Sequence, residues 1–487
     1  MNNENIPKEI HDIVKTLENK GFEAFLVGGC VRDILMNREP KDWDLTTNAK
    51  PEEIILTFDE TVYENTFGTV GIKTRSEDSK LKVIEITPYR LESNYKDKRH
   101  PDEVRFSDKL EDDLKRRDFT INAMAYSISK GQIVDLYKGQ DDIKDKVIRT
   151  VGDPNERFGE DALRMLRALR FSAELGFTIN INTANSILNN VKSIESVSRE
   201  RIKDEFTKVV MSDNPMIGLG MADKMGILPY ISKDLVDMVG VSQNKEAHKY
   251  DVWEHSLRAM QHAADSGFSL EIRLAALFHD IAKPTTKREE GNKTTFFGHD
   301  VVGARVTRET LKSLTFSKEI IEKTANLVRW HMFFSDTDEI TLSAVRRLIR
   351  KVGKENIWDL IDLRKCDRIG TGRPKEQPYR LRKFQSMIDE VMRDPISVGM
   401  LKLNGNIMME ELHMKPGPKI GYILHALLEE VLEDPTKNDL EHQKEKAMEL
   451  YELDENTLKK LGEKAAETKE NAEERELKEL RDERFVK

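Results

Sequence analysis

The chain has 487 residues, too many for one hydrophobic core, so roughly two to four domains are expected. Charged residues make up 34% and aromatics 7%, which points to a helix-rich protein with long solvated faces, and the net charge of -9 argues against a bulk affinity for nucleic acid. Only 2 cysteines are present, Cys30 and Cys366, which excludes a disulfide framework and suits a reducing compartment. The opening MNNENIPKEI has no apolar signal core and no later run is long enough to span a bilayer, so the expectation is a cytoplasmic protein without a membrane role.

Ile6, Ile10, Ile13, Val14 and Leu17 recur at helical spacing, with Gly21 as a stop. Residues 22–27 read as a short buried strand leading into Gly28 and Gly29. The stretch 28–44, GGCVRDILMNREPKDWD, organises the rest. Its Gly-Gly turn, Arg32 and a helix over 31–36 offer donors to an anion. Asp42 and Asp44 are two apart, so an extended segment turns both to one face. Paired hard oxygen ligands beside a phosphate cradle suit Mg²⁺ and metal-assisted nucleotidyl or phosphoryl transfer. The plainer alternative is a strand-to-helix turn followed by a solvated loop.

Residues 69–74 and 81–87 are further strand candidates. Glu85 either faces the Asp42–Asp44 pair as a third carboxylate or points outward. Residues 91–105, LESNYKDKRHPDEVR, read as a mobile loop near the site. In 111–125, EDDLKRRDFTINAMA, Arg117 and Asp118 suit phosphate and a ribose hydroxyl, or else belong to a surface helix with i,i+4 ion pairs.

The segment 153–177, DPNERFGEDALRMLRALRFSAELGF, predicts a strong helix with Leu163, Leu166 and Leu169 on its apolar side. Asp161, Arg164, Arg167 and Arg170 recur every third residue as a polar stripe, most simply a solvated face. A sharper reading exists. Adenine and cytosine each carry an exocyclic amine beside a ring acceptor, and an Asp–Arg pair satisfies both. Uracil and guanine would turn a carbonyl to the carboxylate, at a cost of about 1–3 kcal/mol per unpaired buried group. Such a protein selects A and C without a nucleic-acid template.

Residues 198–210 predict an amphipathic helix, and from 218 to about 432 the periodicity is helical with no strand run. Within it His255, His279-Asp280, His299, His331 and Asp367 form a second constellation, able to hold one or two divalent cations that activate water. Cys366 reads as core packing. Residues 346–383 are basic, a candidate RNA surface or a set of solvated faces. The turn in MKPGPKIGYILHALLEE, within 401–431, either meets phosphate or packs a helix pair. From 458 onward apolar residues are sparse, and a solvated helix or frayed tail is expected.

Taken together, GGCVRD with DWD, then RRDFTINA, then EDALRMLRALRF resemble the class II tRNA nucleotidyltransferases, the CCA-adding enzymes of the polymerase β superfamily. The His-Asp region resembles an HD-superfamily phosphohydrolase module. The resemblance implies an α+β fold: a small mixed-sheet head over 1–150, a helical neck over 151–220, an HD-type body over 221–375 and a tRNA-binding tail over 376–455. A charged helix or disordered tail would follow over 456–487. It implies that Gly28, Gly29 and Arg32 hold the triphosphate, Asp42 and Asp44 bind catalytic Mg²⁺, and Arg117 and Asp118 contact phosphate and ribose. Asp161 and Arg164 would read ATP and CTP, supported by Arg167 and Arg170. His255, His279, Asp280 and Asp367 would hold a second divalent metal, with His299 and His331 nearby. The loop 91–105 would switch C to A addition. The reaction implied is two-metal in-line attack by a tRNA 3′-hydroxyl on the α-phosphorus, with pyrophosphate leaving. No obligate protein partner is inferred. The rival readings are a bacterial poly(A) polymerase, an HD phosphohydrolase with a nucleotide-sensing head, possessing 2′,3′-cyclic phosphodiesterase activity, and a non-catalytic RNA-binding scaffold.

Overall fold

A computed structural model describes residues 6–63, 68–93, 103–243, 249–290, 293–333, 340–372, 375–393, 398–454, 456–461, 477–479 and 481–486. The fold is α+β, with a mixed N-terminal sheet and a mostly helical remainder. The head strands are β1 Ala24–Val27, β2 Asp44–Thr47, β3 Thr61–Tyr63, β4 Val70–Lys73, β5 Val83–Pro88, β6 Arg90–Ser93, β7 Glu103–Phe106, β8 Met124–Ser127 and β9 Gln132–Asp135. Seven of them form one sheet in the order β3-β4-β5-β2-β1-β8-β9. The β2–β5 pair is parallel and its neighbours are antiparallel, which makes the sheet mixed.

Alternation along the strands sorts the two faces. Leu26, Leu45, Ile84, Ile86, Val70 and Ile72 point to one side and are buried with Ile10, Ile13, Val14 and Leu17 of helix Lys8–Asn19. Burying each such side chain contributes about 1.5–3 kcal/mol. The opposite face carries Phe25 and Val27, packed with Tyr89, Leu110, Leu114 and Ala125. Asp44 pairs with Val27 across β1–β2 and with Glu85 across β2–β5, so both acids belong to that second face.

Four expectations need correction. The ends of the loop predicted over 91–105 form a ladder, β6 with β7, in the register Arg90↔Phe106 to Ser93↔Glu103; residues 94–102 lie outside the described residues. The single helix predicted over 153–177 is two, Pro154–Glu160 and Leu163–Leu175. Asp161 causes the break: its backbone is extended and its carboxylate accepts from the Leu163 N–H (3.0 Å), a local bond that competes with the helix. The helical region contains a hairpin, Arg288–Glu290 with Lys293–Thr295. Three-residue strands are too short to leave a period-two signal. Finally, the stretch after 458 is not all solvated. Leu458 is fully buried in a core with Leu403, Met408, Ile423 and Leu427, and Arg484 pairs with Asp389 (2.9 Å) over the Trp358 ring. Residues 462–476 and 480 lie outside the described residues.

The chain divides into two compact units, Met1–His331 with Asp362–Pro374, and Met332–Ile361 with Lys375–Lys487. The first holds the sheet and every site residue named above. The second is helical, built from Leu342–Val352, Tyr379–Met392, Pro418–Glu433, Leu440–Tyr451 and shorter pieces. Among the described residues, no helix is long and apolar enough to cross a membrane.

Candidate active site

The head site begins where β1 ends. Gly28 sits at φ +77°, and a Cβ there would lie 3.1 Å from Arg117 Nη1 and 3.7 Å from Asp44 Oδ2. The positive φ favours glycine, and a Cβ there would press on the tip of Arg117. Gly28, Gly29, Asp42 and Asp44 line a cavity of about 700 Å³ with Arg32, Lys41, Arg117, Asp118, Asn122, Arg167 and Arg170. Burial raises the Asp44 carboxyl above its usual range; the Arg117 charge opposes this and the Asp42 charge adds to it. A partly desolvated acid pair fits a hard divalent cation, whose charge removes that penalty. Cys30 is inert here: burial, then the nearby Asp44, push its thiol to about 12.

The cations facing the pair are already tethered. Arg32 donates to Asp33 (2.9 Å) and Asn122 (2.7 Å). Arg117 donates to Asp113 (3.0 Å), as does Arg116 (2.6 Å). Asp113 is buried, yet Arg117 and Arg116 outweigh burial and lower its carboxyl. The i,i+4 ion pair of the plainer reading of 111–125 is present, between Asp113 and Arg117. Arg167 grips Asp118 (2.6 Å); burial opposes ionisation, but Arg167 and Arg164 lower Asp118 to about 2. The guanidinium groups of Arg32, Arg167 and Arg170 all face the Phe171 ring, at 5.4, 5.3 and 4.2 Å.

Asp161 and Arg164 line a second cavity of about 280 Å³, whose walls Arg117, Asp118 and Arg167 also bound the first. The polar stripe is not a solvated face. Asp161 is gripped by Arg201 (2.7 Å), Arg164 by Glu160 (2.6 Å) and Arg170 by Glu205 (3.2 Å). Arg201, Glu205, Asn122 and Phe171 carry no spacing signal that sequence reasoning could use, whereas Asp113 stands four residues before Arg117. Asp44↔Glu85 register places Glu85 beside Asp44, with its side chain exposed.

The second centre gathers His255, His279 and Asp367 in one group and Asp280, His299 and His331 in another, all buried. Asp280 stands between them. Its Oδ2 is 3.2 and 3.3 Å from the Nε2 atoms of His255 and His279; its Oδ1 is 3.5 and 3.9 Å from those of His299 and His331. Asp367 Oδ1 lies 3.4 Å from His255 Nε2. The Nδ1 atoms of His279, His299 and His331 meet the carbonyls of Ala276, Phe296 and Val328 at 2.9, 2.7 and 2.7 Å. A carbonyl only accepts, so each Nδ1 carries the proton and each Nε2 lone pair faces inward, the tautomer a metal ligand requires. Burial holds His331 down at about 3, which keeps it neutral. His255 is the counterpart: burial lowers it, but the bonds to Asp280 and Asp367 win and raise it to about 9. A proton stands there where a cation would serve the same two carboxylates. Lys283, missed in the sequence, is buried 2.7 Å from Asp280 and donates to Gln243 (2.6 Å).

Fold and site define a nucleotidyltransferase head joined to an HD-type helical module. Residues 24–149 match the family model for the poly A polymerase head domain, residues 252–372 that for the HD domain, and residues 176–238 that described as "Probable RNA and SrmB- binding site of polymerase A". The CCA-adding enzyme of Ligilactobacillus salivarius (strain UCC118) is 32% identical over 454 residues, 92% of this chain and 98% of the relative. That of Lactobacillus helveticus (strain DPC 4571) is 43% identical over 229 residues, 47% of this chain, and there the chain spans about half (55%) of the relative. The crystal structure of the Bacillus stearothermophilus CCA-adding enzyme in complex with CTP superposes with a TM-score of 0.60 at 25% identity, covering 91% of this chain and 98% of that one. The Thermotoga maritima CCA-adding enzyme complexed with tRNA shares the fold, with a TM-score of 0.52 at 18% identity, covering 90% of this chain and 94% of that one. The chain belongs to the family of CCA-adding enzymes.

Proposed function

We propose that the chain adds C, C and A to the 3′ end of tRNA from CTP and ATP, with protein side chains in place of a template. The observation that carries this reading is the common wall. Arg117, Asp118 and Arg167 bound both the cavity of the Asp42–Asp44 pair and that of Asp161 and Arg164, so one nucleotide can reach both. Its phosphates lie near Gly28, Gly29, Arg32 and Arg117, its ribose near Asp118 and its base near Asp161 and Arg164. Arg167 and Arg170 support the stripe. Asp42 and Asp44 are the ligand set for Mg²⁺, which when bound would neutralise charge on the α-phosphate and favour ionisation of the attacking 3′-hydroxyl. The chain's own part is positioning. Tethered arginines meet the triphosphate without reorganising, and the acid pair fixes the line of attack. The division into head 1–150, neck 151–220, body 221–375, tail 376–455 and a terminal stretch 456–487 follows from this reading. In the second unit, exposed Arg346, Arg347 and Arg350 on helix Leu342–Val352 offer phosphate contacts for the tRNA. A reducing, cytoplasmic setting agrees with two buried free cysteines.

The test is incorporation on a tRNA lacking its 3′ terminus, with CTP and ATP supplied separately and together. The expected result is use of CTP first and a stop after the added CCA. Open-ended addition of A without CTP would instead indicate a poly(A) polymerase. The His-Asp cluster supports a second activity, metal-dependent hydrolysis of a phosphoester such as a 2′,3′-cyclic nucleotide. Its loss in Asp280→Ala, with incorporation retained, is the expected signature.

A further inference from the structure

The cavity that holds Asp42 and Asp44 is also lined by Met211, Ser212 and Asp213, where helix Arg199–Val210 gives way to a turn. The last carbonyls of a helix have no partner within it. That of Val210 is taken, together with that of Ser212, by an arginine from another helix. Arg273, on helix Leu270–Phe278, is buried and donates through Nη1 to the carbonyls of Val210 (3.1 Å) and Ser212 (3.0 Å). Its Nε and Nη2 go to the carbonyls of Phe268 (3.0 Å) and Ala264 (3.4 Å). Gln261, on helix Val252–Asp265, extends the grip: it donates to the Asp213 carbonyl (2.8 Å) and accepts from the Met216 N–H (3.3 Å). Both helices lie within the stretch that matches the HD domain.

Burial pulls the Arg273 guanidinium below its usual range, and the charges of Asp213 and Asp265 oppose this only in part. The planar fork is thus spent on carbonyls, which fixes the turn 211–213 from one side. On the cavity side, Met211 is 43% exposed and Asp213 is exposed. Arg38 and Lys41, also exposed, line the same cavity. Under the proposed function the triphosphate lies by Gly28, Gly29, Arg32 and Arg117, and the base lies in the smaller cavity with Asp161 and Arg164. The part of the larger cavity by Met211 is then left to the second substrate, the 3′-terminal nucleotide of the tRNA. Met211 offers an apolar surface to a base, and Arg38 and Lys41 offer charge to its phosphate.

We propose that Arg273, supported by Gln261, is a positioning residue for the tRNA terminus: from the HD-type helices it fixes the turn 211–213 as the wall on which the 3′-terminal nucleotide rests. The inference rests on the proposed nucleotidyl transfer. It gives the HD-type helices a part in that reaction that needs no metal. In-line attack requires the 3′-hydroxyl within about 3–3.5 Å of the phosphorus. A loosened turn therefore costs tRNA binding and alignment, while the incoming nucleotide keeps its own contacts in the head.

The experiment measures kcat, KM for tRNA lacking its terminus and KM for CTP, together with the melting temperature, in Arg273→Lys, Gln261→Leu, Met211→Ala and Leu274→Val. Lysine keeps the charge but replaces the fork by one nitrogen. Arg273→Lys should raise KM for tRNA about tenfold, the scale of one or two lost hydrogen bonds, and leave KM for CTP within about twofold. Gln261→Leu should act in the same direction by about threefold. Met211→Ala, at an exposed position, should raise KM for tRNA with the melting temperature unchanged. Leu274→Val, a buried position on the Arg273 helix, should lower the melting temperature and leave both KM values alone. A merely structural role for Arg273 would look like Leu274→Val, and that result overturns the inference, as does an equal rise in both KM values. Should Arg273→Lys fail to fold, Gln261→Leu and Met211→Ala carry the test. Unchanged KM for tRNA in the variants that fold, with wild-type enzyme adding CTP first, overturns the inference and spares the proposed function. Wild-type enzyme that adds no CTP overturns the two together.

Discussion

In the head, Asp42 and Asp44 stand in the wall of a cavity of about 700 Å³, and the cations around them are held back on Asp33, Asp113, Asp118 and Glu205. In the helical region, four histidines and two aspartates already converge, with Nε2 atoms as close as 2.9 Å and ring protons fixed on carbonyls. Under the proposed function, the first arrangement would receive a substrate that brings its own phosphates and shares a cation with them. The second already gathers a donor set of the kind that holds a divalent ion.

The contrast can be broken most decisively at the acids. Asp42→Ala or Asp44→Ala should reduce nucleotide incorporation by on the order of a thousandfold or more, while circular dichroism and the melting transition stay near wild type. Full incorporation by purified Asp42→Ala enzyme would remove the head from the chemistry. Next, Asp280→Ala should weaken divalent metal retention about a hundredfold, read by elemental analysis after dialysis, and leave incorporation within about twofold. A parallel loss of incorporation would mean that the two centres are one functional unit. Gly28→Ala is a smaller perturbation. The positive φ and the Arg117 contact together cost about 1–3 kcal/mol, and KM for the nucleotide should rise because Arg117 must move.

The smallest effect concerns acid stability. Asp118 is depressed from 3.8 to about 2 in the folded chain, so its stabilisation is complete above the unfolded value and fades as pH falls through about 2. Asp118→Asn should cost about 2 kcal/mol at pH 7, and its deficit in melting temperature should shrink between about pH 4 and pH 2. A deficit independent of pH would show that Asp118 acts by hydrogen bonding and packing alone.

What was legible in the sequence was whatever local spacing encodes. The Asp42–Asp44 pair, the Gly28-Gly29 turn and the His279-Asp280 step each have short-range geometry; the first two line one cavity and the third joins the histidine cluster. Asp161 was misplaced on a continuous helix because its side chain breaks that helix through a bond no periodicity reveals. The partners Arg201 and Glu205 were invisible for another reason. They act across helix faces, where a charge looks the same whether it meets water or a mate. Glu85 stayed ambiguous until the parallel β2–β5 register put it next to Asp44.

Helix Arg199–Val210 restrains Asp161 at one end of the stripe and Arg170 at the other. A compound wedged beneath that helix would therefore loosen both anchors at once.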